Sequence, residues 1–282
     1  MLICPICKNQ LIKNERVYVC ANTHSFDISK YGHTNLLLSN QKNSKFPGDN
    51  KEMVMSRKKF LEKGYYNGIS NTVNELLEEQ LKFSEKEIQK KRLNILDIGC
   101  GEGYYTNNLK KYFSSKNIET DIIGIDISKE AIISASKSYK EIEWFVGSAT
   151  NLPIESSSLD LILCMFSKID SKENFRTLKT NGKLAIVSTG ENHLVEMKET
   201  LYEKVKKDFY LPKDDPALSN FKHIQSMTCS YQVDIKEKES ISNLFNMTPY
   251  RWRTPEDGIK RLYTLETLFT TVEVTIDIFE KI

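Results

Sequence analysis

Residues 94 to 103 read Asn94-Ile-Leu-Asp-Ile-Gly-Cys-Gly-Glu-Gly103, an apolar run with an acid near its end and then three alternating glycines. A short apolar run of this kind is typical of a buried strand. The glycines permit a tight turn and let the backbone approach a ligand without side-chain obstruction. Because a helical pattern follows, the stretch predicts a strand, a ligand-binding turn and a helix that begins beside the ligand.

A second acid ends the next apolar run, Ile123-Gly-Ile-Asp126. Asp126 follows Gly101 by 25 residues, the spacing at which the next strand of a doubly wound sheet offers a carboxylate to ribose hydroxyls. Dinucleotide enzymes carry Gly-x-Gly-x-x-Gly. The order here resembles class I methyltransferases instead, which implies S-adenosylmethionine as the cofactor. The contacts predicted from these two stretches are Asp97, Gly99, Gly101, Gly103 and Asp126.

On both sides of this loop the sequence alternates between strand and helix patterns. The predicted strands are residues 94–98, 120–126, 142–146, 159–165 and 183–188, and the predicted helices among them are residues 103–113 and 128–138. This alternation predicts an α/β fold with a doubly wound parallel sheet and helices on both faces. Flanking this unit we expect helices at 52–63 and along the apolar stripe Ile69 to Leu81, an amphipathic stretch at 194–207, and strands 228–235 and 271–279 around a helical region 238–268.

Residues 146–150, Val146-Gly-Ser-Ala-Thr150, follow the third predicted strand. Class I methyltransferases place the residues around the adenine at this point, and many carry an Asp there for the exocyclic amine. This chain has Ser148 and Ala149 instead. We therefore expect these two residues to contact the adenine through backbone amides.

Four potential metal ligands lie in two close pairs near the N-terminus: Cys4-x2-Cys7 and, after 12 residues, Cys20-x3-His24. Two pairs of thiolate and imidazole ligands suit tetrahedral zinc in a closed, structural site. Residues 1–36 hold few large apolar side chains, and metal binding supplies folding free energy on the order of 10 kcal/mol to such a domain. We therefore predict a zinc site made of Cys4, Cys7, Cys20 and His24.

Length and composition suit two domains, since 282 residues with 39% hydrophobic content can form one α/β core and a smaller unit. We predict a zinc-binding domain at 1–38, a linker or ligand-ordered loop with a helix at 39–63, and the cofactor-binding domain at 64–282. No segment approaches the roughly 20 apolar residues of a membrane span. Together with the clustered cysteines, this absence leads us to expect a cytoplasmic protein in a reducing compartment.

The charge is unevenly distributed along the chain. Residues 1–63 hold 11 Lys and Arg against 5 Asp and Glu, although the whole chain has a net charge of only +2. A polyanion such as nucleic acid would meet this end first, because lysines displace counterions from phosphates. A solvated lysine-rich surface explains the charge alone equally well.

Two common methylation chemistries lack their motifs in this chain. Methylation at pyrimidine C5 needs a cysteine nucleophile, yet Cys100 lies in the glycine loop, Cys164 lies in an apolar run and Cys229 has no accompanying motif. Methylation of exocyclic amines usually shows Asn or Asp, two prolines and an aromatic after the fourth strand. Here that strand runs into Met165-Phe-Ser-Lys168. Both chemistries are therefore disfavoured.

The chain as a whole resembles one family, the RlmA-type guanine-N1 methyltransferases of 23S ribosomal RNA, which include tylosin-resistance enzymes. The motifs that carry the resemblance are the zinc pattern through Cys20-Ala-Asn-Thr-His-Ser-Phe-Asp27, Pro47-Gly-Asp49, Phe60-Leu-Glu-Lys-Gly-Tyr-Tyr66, the glycine loop, His193-Leu194 and Met247-Thr-Pro-Tyr-Arg-Trp-Arg253. The resemblance implies a 23S ribosomal RNA hairpin as the partner, gripped with help from the zinc domain, and a homodimer.

The resemblance also implies residue roles. Tyr66, Gly101, Glu102 and His193 would contact the cofactor, although Tyr66 could be a packing aromatic and His193 could simply begin a helix. Trp252 could stack on a splayed-out base while Arg251 and Arg253 hold phosphates, the way in which RNA loops are typically read. Burial of Trp252 in the core is the alternative.

Guanine N1 carries a proton that must leave during transfer, so a carboxylate acceptor is expected. As a hypothesis we nominate Asp49, in the Pro-Gly-Asp turn between the two predicted domains, over Glu102. Two rival functions remain open from the sequence. One is a small-molecule methyltransferase of the same fold, and the other is a catalytically silent, zinc-dependent RNA-binding or assembly factor.

Overall fold

The computed structural model describes residues 1–41, 47–81, 92–205 and 209–282. Parts of two sequence expectations lie outside these residues: residues 42–46 of the predicted linker and the end of the amphipathic stretch at 206–207. In the N-terminal part, the strands are β1 (Ile12–Asn14), β2 (Val17–Val19), β3 (Ser25–Asp27) and β4 (Thr34–Asn35). Helices α1 (Lys51–Glu62) and α2 (Asn67–Leu81) follow.

The central part alternates as predicted. Its elements are β5 (Leu93–Ile98), α3 (Tyr104–Ser115), β6 (Thr120–Asp126), α4 (Lys129–Ser138), β7 (Glu143–Val146), β8 (Leu159–Met165), α5 (Ser171–Thr177) and β9 (Leu178–Thr189). The C-terminal part consists of α6 (Val195–Leu201), β10 (Phe221–Ile235), α7 (Lys238–Asn246), α8 (Glu256–Thr264) and β11 (Leu268–Lys281). A 3-10 turn with Pro249 at its start divides the predicted helical region 238–268, because proline starts a helical turn but cannot continue one.

The described strands β4 to β11 form an eight-stranded sheet in the order β10-β11-β9-β8-β5-β6-β7-β4. The strands from β9 to β4 pair in parallel, whereas β11 pairs antiparallel with both β9 and β10. The strands of the alternating part are parallel as predicted, and the two C-terminal strands add an antiparallel edge, so the sheet as a whole is mixed. Alternating burial identifies a strand but not the direction of its pairing, so the sequence pattern could not reveal this edge.

The N-terminal segment 1–36, which we call the ribbon, packs against the large sheet. Its side chains Leu2, Leu11, Tyr18 and Leu36 belong to the same buried cluster as the strand residues Leu96, Ile98, Ile123 and Ile125. Strand β4 continues the large sheet by pairing with β7, and the backbone amide of Ile3 donates to Pro153 O at 2.9 Å. The ribbon thus completes one face of the core, while the domain boundaries remain predictions.

No helix in the described ranges is long and apolar enough to cross a membrane.

Candidate cofactor and metal sites

The glycine loop lies at the carboxyl end of β5, where ligands bind in open α/β sheets. Gly99, Gly101 and Gly103 all have positive φ angles (72°, 57° and 86°), a backbone conformation that favours glycine. A methyl group on Gly99 would lie 2.2 Å from Ser167 Oγ, in the loop after β8. Glycine is therefore required at position 99 for the backbone to approach the neighbouring loop.

Asp126 holds the loop from the end of the adjacent strand, β6. Its carboxylate accepts a hydrogen bond from the Gly101 amide at 3.0 Å and another from the Ser128 amide at 2.7 Å. Each carboxylate oxygen has further lone pairs beyond these bonds. Asp126 can therefore shape the loop and also accept hydrogen bonds from ribose hydroxyls.

Asp97 and Glu102 provide buried acceptor atoms that no described group satisfies. Both side chains are buried, and Asp97 Oδ1 and Glu102 Oε2 have no hydrogen-bond partner. Buried carboxylate oxygens are rarely left unpaired, so the pair fits a ligand that carries donors and positive charge. S-adenosylmethionine carries both in its ammonium group and its sulfonium, so the residues present fit this cofactor.

The same burial predicts that the affinity for the cofactor depends on pH. Burial raises the pKa of Asp97 to about 7, the hydrogen bond from Thr106 opposes the shift, and the neighbouring Asp126 and Glu102 add to it. The carboxyl is therefore protonated below pH 7 in the free protein. An ammonium ligand favours the carboxylate, so binding must expel the proton.

We expect the affinity for S-adenosylmethionine to fall about tenfold per pH unit below pH 7 and to level off above it. Calorimetric titration at pH 6, 7 and 8 measures the profile and the proton released. The Asp97→Asn variant, which cannot titrate, should bind more weakly at pH 8 with a nearly flat profile. A flat wild-type profile would show that another group controls the charge of the site.

Three connected cavities follow the carboxyl edge of the sheet. The loop cavity is lined by residues that include Asp49, Arg57, Asp97, Glu102 and Asp126. The edge cavity shares Gly48, Gly99, Asp126 and Ser167 with it and is also lined by Ser148, Ala149 and Ile127. The aromatic cavity shares Arg57, Tyr105 and Phe166 with the loop cavity and is also lined by Tyr66, His193, Met247 and Tyr250.

The cavities bring together most of the cofactor residues predicted from the sequence. The loop cavity is lined by Asp97, Gly99, Gly101, Glu102 and Asp126, and the edge cavity by Ser148 and Ala149. Tyr66 and His193 lie in the aromatic cavity, on the other side of Arg57. Gly103 lines none of the three and instead packs its backbone against Trp144 and Tyr139. The ligand contacts themselves remain predictions.

Arg57 is a central residue of the site that our sequence reasoning missed. Its Nη1 forms an ion pair with Asp49, and its Nη2 donates to Met247 O at 3.0 Å. In α1 it occupies the same stripe as the buried Met53, Val54, Phe60 and Leu61. An arginine within an apolar stripe predicts a paired, partly buried charge, and this signal could have identified it.

Asp49 lines the loop cavity and is held by contacts of both its backbone and its side chain. Ser128 Oγ donates to its carbonyl oxygen at 2.6 Å, and its carboxylate pairs with Arg57. The preceding Gly48 has a φ of 78°, and a methyl group there would lie 2.9 Å from the Cβ of Ser128. The Pro-Gly-Asp turn therefore lies directly against the loop that follows β6.

His193 and Tyr66 form a short hydrogen-bonded chain in the aromatic cavity. Burial lowers the pKa of His193 to about 4, so the imidazole is neutral at pH 7. Its Nδ1 accepts from the backbone amide of Glu273 at 3.2 Å, which leaves its proton on Nε2, 3.4 Å from Tyr66 Oη. With Tyr66 Oη as the acceptor, its own proton is free to be donated to a ligand.

Phe166 lines both the loop cavity and the aromatic cavity. It has a φ of 54° and is 44% exposed, both unusual for a large apolar side chain. Such strained backbone is often found at functional sites. The ring thus offers a planar surface at the junction where a methyl donor and an acceptor would meet.

The predicted zinc ligands form one cluster. The ligand atoms of Cys4, Cys7, Cys20 and His24 all lie within 4.8 Å of one another. Cys4 Sγ and Cys20 Sγ lie 3.5 and 3.4 Å from His24 Nδ1, and Cys7 Sγ lies 3.6 Å from Cys20 Sγ. Ligands around one tetrahedral zinc are separated by roughly 3.5 to 3.8 Å, so the four residues fit the metal.

The three residues predicted to bind RNA differ in their environments. Arg251 forms an ion pair with Glu52 at 2.9 Å, and its guanidinium lies 5.1 Å from the ring of Trp252. Trp252 is 63% exposed, so it is not a core residue. Arg253 is exposed as well. RNA contact by these three residues stays a prediction. The structure adds that the Arg251 guanidinium lies close to the Trp252 ring.

Comparisons with known proteins find family matches for two separate parts of the chain. Residues 2–45 match the zinc-ribbon family described as RlmA, N-terminal, and residues 95–182 match a family described as a methyltransferase domain. The chain is 28% identical to "Putative 23S rRNA (guanine-N(1)-)-methyltransferase YxjB" of Bacillus subtilis (strain 168), over 98% of this chain and 95% of the relative. It is 24% identical to "23S rRNA (guanine(748)-N(1))-methyltransferase" of Streptomyces fradiae, over 71% and 67%, respectively.

The fold, the glycine loop and the matched domains define a class I, S-adenosylmethionine-dependent methyltransferase with an N-terminal zinc ribbon. Both cofactors predicted from the sequence, S-adenosylmethionine and structural zinc, are confirmed at this level. The RlmA-type ribbon and the relative aligned over almost the whole chain confirm the resemblance to the RlmA-type methyltransferases that was predicted from the sequence.

Proposed function

We propose that the protein transfers a methyl group from S-adenosylmethionine to N1 of a guanine in a hairpin loop of 23S ribosomal RNA. One observation supports this function above others: an aromatic cavity able to hold a planar base adjoins the loop cavity and shares Arg57, Tyr105 and Phe166 with it. The relatives aligned over most of the chain carry this activity in their names.

The chemistry requires alignment and removal of a proton. The cofactor supplies a methyl group already activated on a sulfonium, so the protein's task is to hold N1 in line with it. Phe166 and the tyrosines of the aromatic cavity would hold the guanine plane. The N1 proton must pass to an acceptor within hydrogen-bond reach.

Asp49 is our nominee for that acceptor, because its carboxylate lines the loop cavity beside Arg57, which also lines the aromatic cavity. We expect Asp49→Asn to slow single-turnover methyl transfer by about 10²- to 10⁴-fold, the usual contribution of a general base. The dissociation constant of the cofactor should change only a few-fold. Rapid-quench assays with labelled cofactor and saturating RNA measure the rate.

Glu102→Gln is the matched comparison, since Glu102 is another acid that lines the loop cavity and is the alternative to Asp49 considered from the sequence. It should weaken cofactor binding and leave the rate at saturating cofactor close to that of the wild type. Normal single-turnover transfer by Asp49→Asn would exclude Asp49 as the base.

Because Tyr66 lines the aromatic cavity and not the loop cavity, we propose that it contacts the guanine rather than the cofactor, as the resemblance had implied. It would donate its free hydroxyl proton to guanine O6, where negative charge develops as N1 loses its proton. We expect Tyr66→Phe to lower kcat by about 10- to 100-fold while the KM for RNA changes little. Steady-state kinetics measure both. His193→Gln, which can still donate from its amide, should retain more activity than His193→Ala. Equal kcat for Tyr66→Phe and wild type would remove this role.

Primer extension on 23S ribosomal RNA from cells with and without the protein tests the function itself. A methyl at guanine N1 blocks Watson-Crick pairing and stops reverse transcriptase at that base. No difference in stops would contradict N1 methylation. Labelled cofactor incubated with ribosomal RNA and, separately, with a metabolite extract distinguishes the small-molecule alternative, and tight RNA binding without methyl transfer would indicate a silent assembly factor.

A homodimer, a cytoplasmic location and an RNA grip by the zinc ribbon also belong to this proposal. The first is checked by sedimentation of the purified protein, the second by fractionation of cells, and the third by crosslinking the ribbon to RNA.

A further inference from the structure

A groove outside the three cavities carries an unusual combination of side chains. It is lined by Lys198, Tyr202, Lys204, Val205, Pro249, Tyr250 and Arg253, which we call the basic groove. Pro249 and Tyr250 also line the aromatic cavity, so the groove begins where the proposed base-binding cavity opens. Whatever occupies the aromatic cavity can therefore extend into the basic groove.

Three side chains of the groove are cations: Lys198, Lys204 and Arg253. Lys198, Lys204 and Arg253 form no ion pair with any residue in the described part of the chain. The negative charge of Glu273 raises the pKa of Lys198 from a distance, but the Glu273 carboxylate accepts hydrogen bonds from Asn192. Lys198 is partly buried, and burial lowers its pKa. An anion placed beside it would compensate the lost hydration.

Aromatic rings lie among these charges. The rings of Tyr202 and Tyr250 meet edge to face with centroids 6.4 Å apart, and Lys198 Nζ lies 5.9 Å from the centre of the Tyr250 ring. The Tyr202 hydroxyl pairs with Thr254 Oγ1 at 2.9 Å, which fixes that ring. Cations interleaved with fixed aromatic rings are the arrangement that binds single-stranded nucleic acid, phosphates on the cations and bases on the rings.

We propose that the basic groove binds the nucleotide adjacent to the methylated base, with its phosphodiester on Lys198, Lys204 and Arg253. The proposal rests on the proposed function for the identity of the RNA. It adds a specific subsite that continues from the aromatic cavity. The groove positions the strand and takes no part in the chemistry.

The test measures RNA binding and methyl transfer separately on the full-length, zinc-loaded protein. The probe is a 23S hairpin RNA, either unmodified or with a neutral methylphosphonate in place of one phosphate flanking the target guanine. Fluorescence anisotropy gives the dissociation constant over a salt series. The variant is Lys204→Ala with Arg253→Ala, and the matched control is Lys222→Ala, an exposed lysine on β10 outside the groove.

We expect the double variant to bind unmodified RNA about tenfold more weakly and to lower the slope of log affinity against log salt by about 1, because the cations share one phosphodiester. Its kcat at saturating RNA and its cofactor affinity should stay within twofold of the wild type. The methylphosphonate should weaken the wild type and the control but have little further effect on the double variant.

The subsite would be overturned if methylphosphonate substitution at every flanking position lowered RNA affinity equally in the wild type and the double variant. An unchanged salt slope in the double variant would overturn it too. Absence of RNA binding by the wild type would overturn it as well. RNA binding that depends on the groove without methyl transfer would support the subsite and contradict the proposed function, so the two failures are distinguishable.

Discussion

Replacing Asp126 with Asn is expected to weaken binding of S-adenosylmethionine about 100-fold. The carboxylate accepts hydrogen bonds from the amides of Gly101 and Ser128, and in the variant one of these donors would face an amide NH2 group. Hydrogen bonds to a charged acceptor contribute about 1.5 to 3 kcal/mol each, and the ribose contact would be weakened at the same time. Isothermal titration with the cofactor measures the loss directly.

Asp121→Asn is the matched control, because Asp121 lies on the same strand, β6, but is exposed and forms a surface ion pair with Arg92 at 3.3 Å. Surface ion pairs contribute little, so this variant should bind the cofactor like the wild type. Comparable affinity of the Asp126 variant and the control would mean that the loop holds its shape without the carboxylate.

Loss of zinc is expected to damage the cofactor site as well as the ribbon. Because ribbon side chains complete the core cluster under β5 and β6, and Leu2 bridges to Ile154, unfolding of the ribbon exposes that face of the sheet. Residues that line the edge cavity follow two strands of that sheet closely along the chain: Asn40 and Gln41 come after β4, and Ser148 comes after β7. We therefore expect zinc binding and cofactor binding to be thermodynamically coupled.

We expect Cys20→Ser to lower the melting temperature by about 10 °C or more and to weaken cofactor binding at least about tenfold. Calorimetry and cofactor titration, with zinc content measured by a colorimetric chelator, test both effects. Cys229→Ser is the matched control, since Cys229 is a partly buried cysteine outside the zinc cluster. A zinc-free protein with unchanged melting temperature and cofactor affinity would show that the ribbon is energetically independent.

The local motifs were predictable because their chemistry resides in short sequence spans. The loop from Asp97 to Gly103 encodes its own positive φ angles through its glycines, and Asp126 lies at the end of a strand that the apolar pattern identifies. The zinc ligands likewise come in two close pairs along the chain. Each signal depends on residues a few positions apart, so periodicity and spacing were enough.

The sequence by itself determined the α/β class, the two cofactors and the order of the central strands along the chain. Only the tertiary structure decided that β11 inserts antiparallel between β9 and β10, and that Arg57 joins the loop cavity to the aromatic cavity. The same holds for the hydrogen bond from Glu273 that fixes the proton of His193, 80 positions away in sequence. These features arise from contacts between residues distant in the chain, and a local pattern specifies neither the partner nor the direction of such a contact.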